Sequence, residues 1–101
     1  MDNKYINSVV YKIYCKDENV KDIYVGSTIN FKKRCKDHKS RCNNINSEKY
    51  NYKLYKFIRD NGNFDNFIIE IIKEYPCENK NQLETEEDKY IVELNPTLNS
   101  F

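Results

Sequence analysis

"VVYKIYCKDENVKDIYVGS", residues 9–27, decides the fold. In its first half Val9, Tyr11, Ile13 and Cys15 alternate with Val10, Lys12, Tyr14 and Lys16, the period of two expected of a half-buried strand. "DENVKD" supplies turn chemistry, and "IYVGS" resumes the alternation with Ile23 and Val25 against Tyr24 and Gly26. The pattern predicts an antiparallel hairpin. Pleating then puts Tyr14 with Lys12 and Lys16, opposite the apolar set, and Tyr24 opposite Ile23 and Val25. Both hydroxyls are expected to face away from the core, as neighbours across the strands. Such a pair is either an ordinary sheet stabiliser or a platform of two phenols.

Working outward, Asn30 is placed to cap a helix over "FKKRCKDHKSRC", in which Phe31, Arg34, Cys35, His38 and Cys42 have helical spacing. A polar loop, "NNINS", precedes a second helix over "EKYNYKLYKFIRDNG", with a stripe of Tyr50, Leu54, Phe57 and Ile58 and a stop at Gly62. "FDNFIIEIIKEY" predicts a third strand buried on much of both faces and ended by Pro76. Residues 80–94 form an amphipathic pattern closed by Asn95-Pro96. The order β-β-α-α-β-α predicts an α+β fold, a small three-stranded antiparallel sheet flanked by helices.

At 101 residues the chain is read as a single domain over residues 1–101. It holds no run of about 18 apolar residues, and "MDNKYINS" lacks the basic and apolar blocks of a secretory signal. The expectation is a soluble intracellular protein, in the cytoplasm or in a eukaryotic nucleus, with no membrane partner. Cys15, Cys35, Cys42 and Cys77 form no Cys-x-x-Cys pair and accompany a single histidine, which disfavours zinc and points to reduced thiols. The net charge of +1 is uninformative, but its distribution is not. "KKRCKDHKSR", residues 32–41, is basic and suits a polyanion; "ENKNQLETEED", residues 78–88, is mainly acidic and suits a cation. Charge alone favours the plainer reading of two solvated helix faces.

Arg34 and His38 are four apart and share a helix face. Beside a phenol pair, a guanidinium and an imidazole suit a phosphodiester: one neutralises developing negative charge, the other moves a proton near neutral pH. At about 100° per residue Glu87 falls at the centre of a stripe of Leu83, Tyr90, Ile91 and Leu94. An inward carboxylate needs a basic partner or a metal, and a shift of one residue in phase would promote Glu86 instead. Asn99 stands in the tail "NPTLNS", where its amide is able to hold backbone or substrate in register.

The ordered set resembles the GIY-YIG nuclease family, with "KIY" (12–14) for the first motif and "YVG" (24–26) for the second. "STINFKKRCKDH" is similar to the family's Arg-x-x-x-His helix, and "LETEEDKYIVELNPTLN" to its terminal Glu…Asn signature; the resemblance spans residues 9–99. It implies a metal-dependent DNA endonuclease of low intrinsic sequence specificity that leaves 5′-phosphate and 3′-hydroxyl ends. It implies Tyr14 and Tyr24 as the active-site phenols, Arg34 at the scissile phosphate, His38 in proton transfer, Asn99 orienting the site, and Glu87 as ligand of one Mg²⁺ or Mn²⁺. Lys32, Lys33, Lys36, Lys39 and Arg41 would then contact DNA phosphates. Specificity would come from DNA structure, a protein partner, a second copy of the chain or a further domain. The alternative is a catalytically silent nucleic-acid-binding module on the same scaffold.

Overall fold

A computed structural model describes residues 3–100. The opening hairpin forms, β1 (Val9–Cys15) pairing antiparallel with β2 (Ile23–Thr28). Tyr24, however, packs on the core side with Ile13, so it and Tyr14 lie on opposite faces and are not the expected outward neighbours. β3 (Phe67–Glu74) pairs antiparallel with the other side of β1, giving the order β2-β1-β3. β1 is therefore the central strand, and Val10, Tyr11 and Ile13 in it are fully buried. β3 is an edge, less buried than its isoleucine-rich sequence predicts, with Ile71 38% exposed. It also starts later than expected, because Phe64–Asn66 form a 3₁₀ turn. The register shift between Val10 and Tyr11 leaves Ile72 as an extra residue, a bulge of the kind that protects sheet edges.

Helix α1 (Phe31–Asn43) begins where predicted, with the Asn30 side chain accepting a hydrogen bond from the Lys33 N–H. Helix α2 (Lys53–Asp60) is shorter than its apolar stripe implied. Residues 47–52 use their backbone in turns, Tyr50 N–H to Ser47 O and Tyr52 N–H to Lys49 O, and Tyr52 becomes the N-cap. Arg59 clamps this loop. Its guanidinium donates to the carbonyls of Cys42 and Tyr50 at 2.7 and 2.8 Å and lies 3.6 Å from the centroid of the Tyr50 ring. Gly62, just past α2, has φ +98°, a conformation that glycine adopts without strain. Helix α3 (Lys80–Leu94) is capped by Asn79 and ends at a left-handed Asn95, after which Pro96 blocks continuation.

The helices divide between the faces of the sheet. Under α1 and α2 lie Tyr11, Ile13, Cys42, Leu54, Tyr55, Ile58 and Phe67 in one cluster that Leu98 also joins. Burying a side chain such as Ile13 stabilises the fold by about 2 kcal/mol. The opposite face, with Val10 and Val25, is covered by α3 against β2 and β1. Among the described residues no helix is long and apolar enough to cross a membrane, and the four cysteines are free thiols.

Candidate active site

Strand parity decides which tyrosines meet. Tyr11 pairs with Gly26 and Ile13 with Tyr24, so Tyr24 shares a face with Tyr11 and Ile13. A Cβ on Gly26 would sit 2.7 Å from the Tyr11 hydroxyl oxygen and 2.8 Å from its Cζ. The glycine is there because the Tyr11 phenol lies across its backbone. Ring centroids of Tyr11 and Tyr24 are 6.3 Å apart, and each is 5.7 Å from that of His38.

His38, on the inner face of α1, is buried between two phenols: Tyr11 Oη is 2.7 Å from Nε2 and Tyr55 Oη 2.7 Å from Nδ1. Neutral imidazole has one donor and one acceptor nitrogen, and each hydroxyl can take either part. Burial, and then the charges of Arg34 and Arg41, lower the His38 pKa to about 4, so the ring is neutral at physiological pH. Burial likewise raises Tyr11, with the neighbouring Tyr24 adding to it and Arg34 opposing. Tyr24 is raised by burial and then by the Glu87 carboxylate. Neither phenol ionises in bulk at neutral pH.

Glu87 approaches from the α3 side. Its carboxylate accepts a hydrogen bond from the Ser27 hydroxyl at 2.7 Å, and among the described residues no cation lies within salt-bridge distance of it. Its pKa is raised by burial, with Asp88 and Glu84 adding to the rise and the Ser27 bond and Arg34 countering it. A half-buried carboxylate short of positive charge fits a hard cation that keeps most of its water. Among the described residues no three His, Cys, Asp or Glu side chains gather to form a metal cage, and Glu84 is the other carboxylate lining the cavity of Glu87. β2 is the edge strand beside which both faces meet. Arg34 lines the cavity of Ser27, Glu84 and Glu87 and also the cavity of Tyr24, His38 and Tyr55, and its Nη1 donates to the Ser27 carbonyl at 3.4 Å.

Asn99 completes that edge. Its Oδ1 accepts from Val25 N–H at 2.9 Å and its Nδ2 donates to Val25 O at 2.8 Å, while Leu98 N–H donates to Ile23 O. The amide thus pairs with β2 as a further strand would, on the residue between Tyr24 and Gly26.

The structure brings together Tyr24, Arg34, His38, Glu87 and Asn99, and corrects the first phenol. Tyr14 stands three residues from Tyr11 and so on the opposite side of β1, paired with Ile23 beside the Lys12 ammonium, which lies 5.0 Å from the centroid of its ring. It lines a hairpin cavity with Lys16 and Lys21 and does not reach His38. Tyr11, of "VVY", occupies the place assigned to it. Of the basic residues, Arg41 turns into the cavity with Arg34 and Lys49. Lys32, Lys36 and Lys39 are exposed and lie about 140–160° around the helix from Arg34, and Lys33 is tied to Asp37 at 3.2 Å. Glu86 is the carboxylate that is 3% exposed, and it carries the ion pairs, to Lys73 and Lys89, each at 2.9 Å. Tyr11, Ser27, Lys49 and Tyr55 escaped the sequence reading; a glycine inside a strand, pointing to the aromatic across from it, was the available signal for Tyr11.

The family model of the GIY-YIG catalytic domain matches residues 7–99. A solved structure, the catalytic domain of the homing endonuclease I-TevI, matches with a TM-score of 0.72 and 29% identity, covering 93% of this chain and 95% of that one. No curated protein sequence matches significantly.

Proposed function

The chain belongs to the GIY-YIG family of endonuclease catalytic domains, and from that premise we propose that it hydrolyses DNA phosphodiester bonds with one divalent cation, Mg²⁺ or Mn²⁺, held at Glu87. The observation that carries the reading is the position of Arg34, bordering at once the cavity of the phenols and imidazole and the cavity of the carboxylate. A phosphate seated at that guanidinium has proton-transfer groups on one side and a cation-binding group on the other. When bound, the cation neutralises phosphate charge and stabilises the leaving 3′ oxygen as a Lewis acid.

The chain's own groups supply the rest. Tyr11 Oη takes a proton from the attacking water as its own proton passes to His38 Nε2. In the same movement His38 gives up its Nδ1 proton to Tyr55, whose hydroxyl proton leaves to solvent. Passing the proton on avoids a buried imidazolium beside Arg34 and Arg41, the species that its lowered pKa disfavours. Arg34 neutralises charge on the phosphorus oxygens, Tyr24 donates a hydrogen bond beside it, and Asn99 fixes the β2 backbone that carries Tyr24. The cavity offers cations and hydroxyls suited to the DNA backbone, so sequence preference is low.

Nicking of supercoiled plasmid with Mg²⁺, with EDTA, and by Glu87→Gln tests this directly. The expected result is loss of nicking in EDTA and a fall of about 10³-fold in the variant. Equal cutting by variant and wild type removes the metal role of Glu87; no cutting of any nucleic acid by the wild type leaves the silent binding module in its place.

A further inference from the structure

The cavity next to the phenols extends past them, for about 290 Å³ in all, to Arg41, Lys49, Tyr52 and Ser100. Among the described residues lining it there is no carboxylate, and neither Arg34, Arg41 nor Lys49 is in a salt bridge. Three cations around one concavity with no anion among them make a site for a polyanion.

Tyr52 gives the site a second character. It is the N-cap of α2, a position where Ser, Thr, Asp or Asn would satisfy a free N–H, and its side chain makes no capping bond. The residue thus forgoes a local stabilisation, and it does so with its side chain 54% exposed. Its ring lies nearly parallel to Tyr55, at 11° and 6.3 Å between centroids, and so carries outward the row of rings that runs from His38 through Tyr55, those two being tilted at 56°. The loop bearing Lys49 and Tyr52 is also held in place, by the Arg59 clamp on the carbonyls of Cys42 and Tyr50. Exposed aromatic faces beside fixed cations are how proteins hold single-stranded nucleic acid: bases stack and phosphates pair.

We propose that this extension is a subsite for one unpaired nucleotide flanking the scissile phosphate, its base stacked on Tyr52 and its phosphate held by Arg41 and Lys49. The assignment rests on the nuclease reading and deepens it. A duplex keeps its bases stacked inside, so a strand with an unpaired nucleotide beside the cleaved bond is the better substrate, and single-stranded flaps or bubbles are preferred over intact duplex.

The test separates binding from cleavage. Affinity for a fluorescent oligothymidylate and for a fully paired duplex is measured in EDTA, for the wild type, Tyr52→Ala, Tyr52→Trp and Lys49→Gln; cleavage of bubble and duplex substrates is measured with Mg²⁺. Tyr52→Ala is expected to weaken oligothymidylate binding about tenfold or more, at least fivefold more than duplex binding, and Tyr52→Trp to restore it. Lys49→Gln should reduce the slope of log affinity against log salt by about one. Tyr52 is half-exposed, and an unchanged thermal midpoint verifies that Tyr52→Ala is folded. Oligothymidylate affinity within twofold of wild type in Tyr52→Ala, or equal losses on both ligands, overturns the subsite while leaving cleavage untouched. Tyr52-dependent binding by a wild type that cuts nothing keeps the subsite and overturns the nuclease reading.

Discussion

The two faces of the sheet treat buried charge in opposite ways. Under α3, Glu86 is almost fully enclosed and keeps its charge, because Lys73 and Lys89 each donate to it at 2.9 Å. Under α1 and α2, His38 is equally enclosed and gives its charge up, flanked by hydroxyls rather than by carboxylates. One face spends its polar group on folding, since the charge of that carboxylate is already compensated by two ammonium groups. The other keeps a neutral group, bonded through both nitrogens and able to pass a proton in either direction. Glu87 stands at the boundary, one residue from Glu86, with a serine hydroxyl in place of the lysines. Adjacency in sequence says nothing here; the charge environment separates them.

Exchanging the two carboxylates for amides tests that separation where the expected effect is largest. Glu87→Gln should lose about 10³-fold in nicking rate, roughly 4 kcal/mol of transition-state stabilisation, with little change in thermal midpoint. Glu86→Gln should do the reverse: lower the midpoint and leave the nicking rate intact at temperatures where the protein is folded. Lys73 and Lys89 hold the Glu86 pKa below its ordinary 4.5, so its stabilising contribution is present above that pH and is lost as pH falls through the lower folded value. If Glu86→Gln abolished nicking in folded protein, the division of labour on α3 would fail.

The imidazole gives the opposite face its own pH window. The groups around it are Tyr11 and Tyr24 from the sheet, Tyr55 and Lys49 from α2 and its preceding loop, and Arg34, Asp37 and Arg41 from its own helix; of the charged ones only Asp37 favours the protonated ring. With the folded pKa near 4 and the ordinary value at 6.5, the unfolded chain binds more protons between those limits. Stability is therefore complete above about pH 6.5 and declines as pH falls toward 4, by about 3 kcal/mol. Urea unfolding across this range should show that slope in the wild type and lose it in His38→Gln. A flat wild-type profile above pH 4.5 would mean that His38 is protonated in place, and the contrast between the faces would disappear.

Much of this arrangement is legible in the amino-acid sequence. Alternation in residues 9–27 predicted the hairpin, asparagines at 30 and 95 marked the beginning of α1 and the end of α3, and Arg34 and His38 at four-residue spacing fell on one helix face. What sequence could not supply was register. Tyr11 and Tyr14 both sit in β1, and only pairing with β2 decides which lies across from Gly26. Phase on α3 had the same weakness, a step of about 100° separating the ion-paired carboxylate from the one beside Ser27. Tyr50 fits an apolar stripe and so predicts helix for the loop before α2, whereas its ring serves as the seat of the Arg59 guanidinium.

The smallest expected effect sets the two faces against each other on a single strand. Tyr11→Phe removes one hydroxyl from the face under α1, leaving His38 Nε2 unpaired and the proper shape in place against Gly26. Nicking should fall about 10²-fold, the ordinary size of a lost proton-transfer group, while the folding stability drops by the cost of one buried hydrogen bond, about 1 kcal/mol. Tyr14→Phe removes the same atom three residues on, where the phenol faces Lys12 and Glu70 near solvent, and should change neither quantity measurably. Because the substitutions are chemically identical, any difference belongs to the face and not to the residue. Loss of nicking in Tyr14→Phe with full activity in Tyr11→Phe would restore "KIY" as the working motif and move the chemistry to the face of β1 turned away from His38.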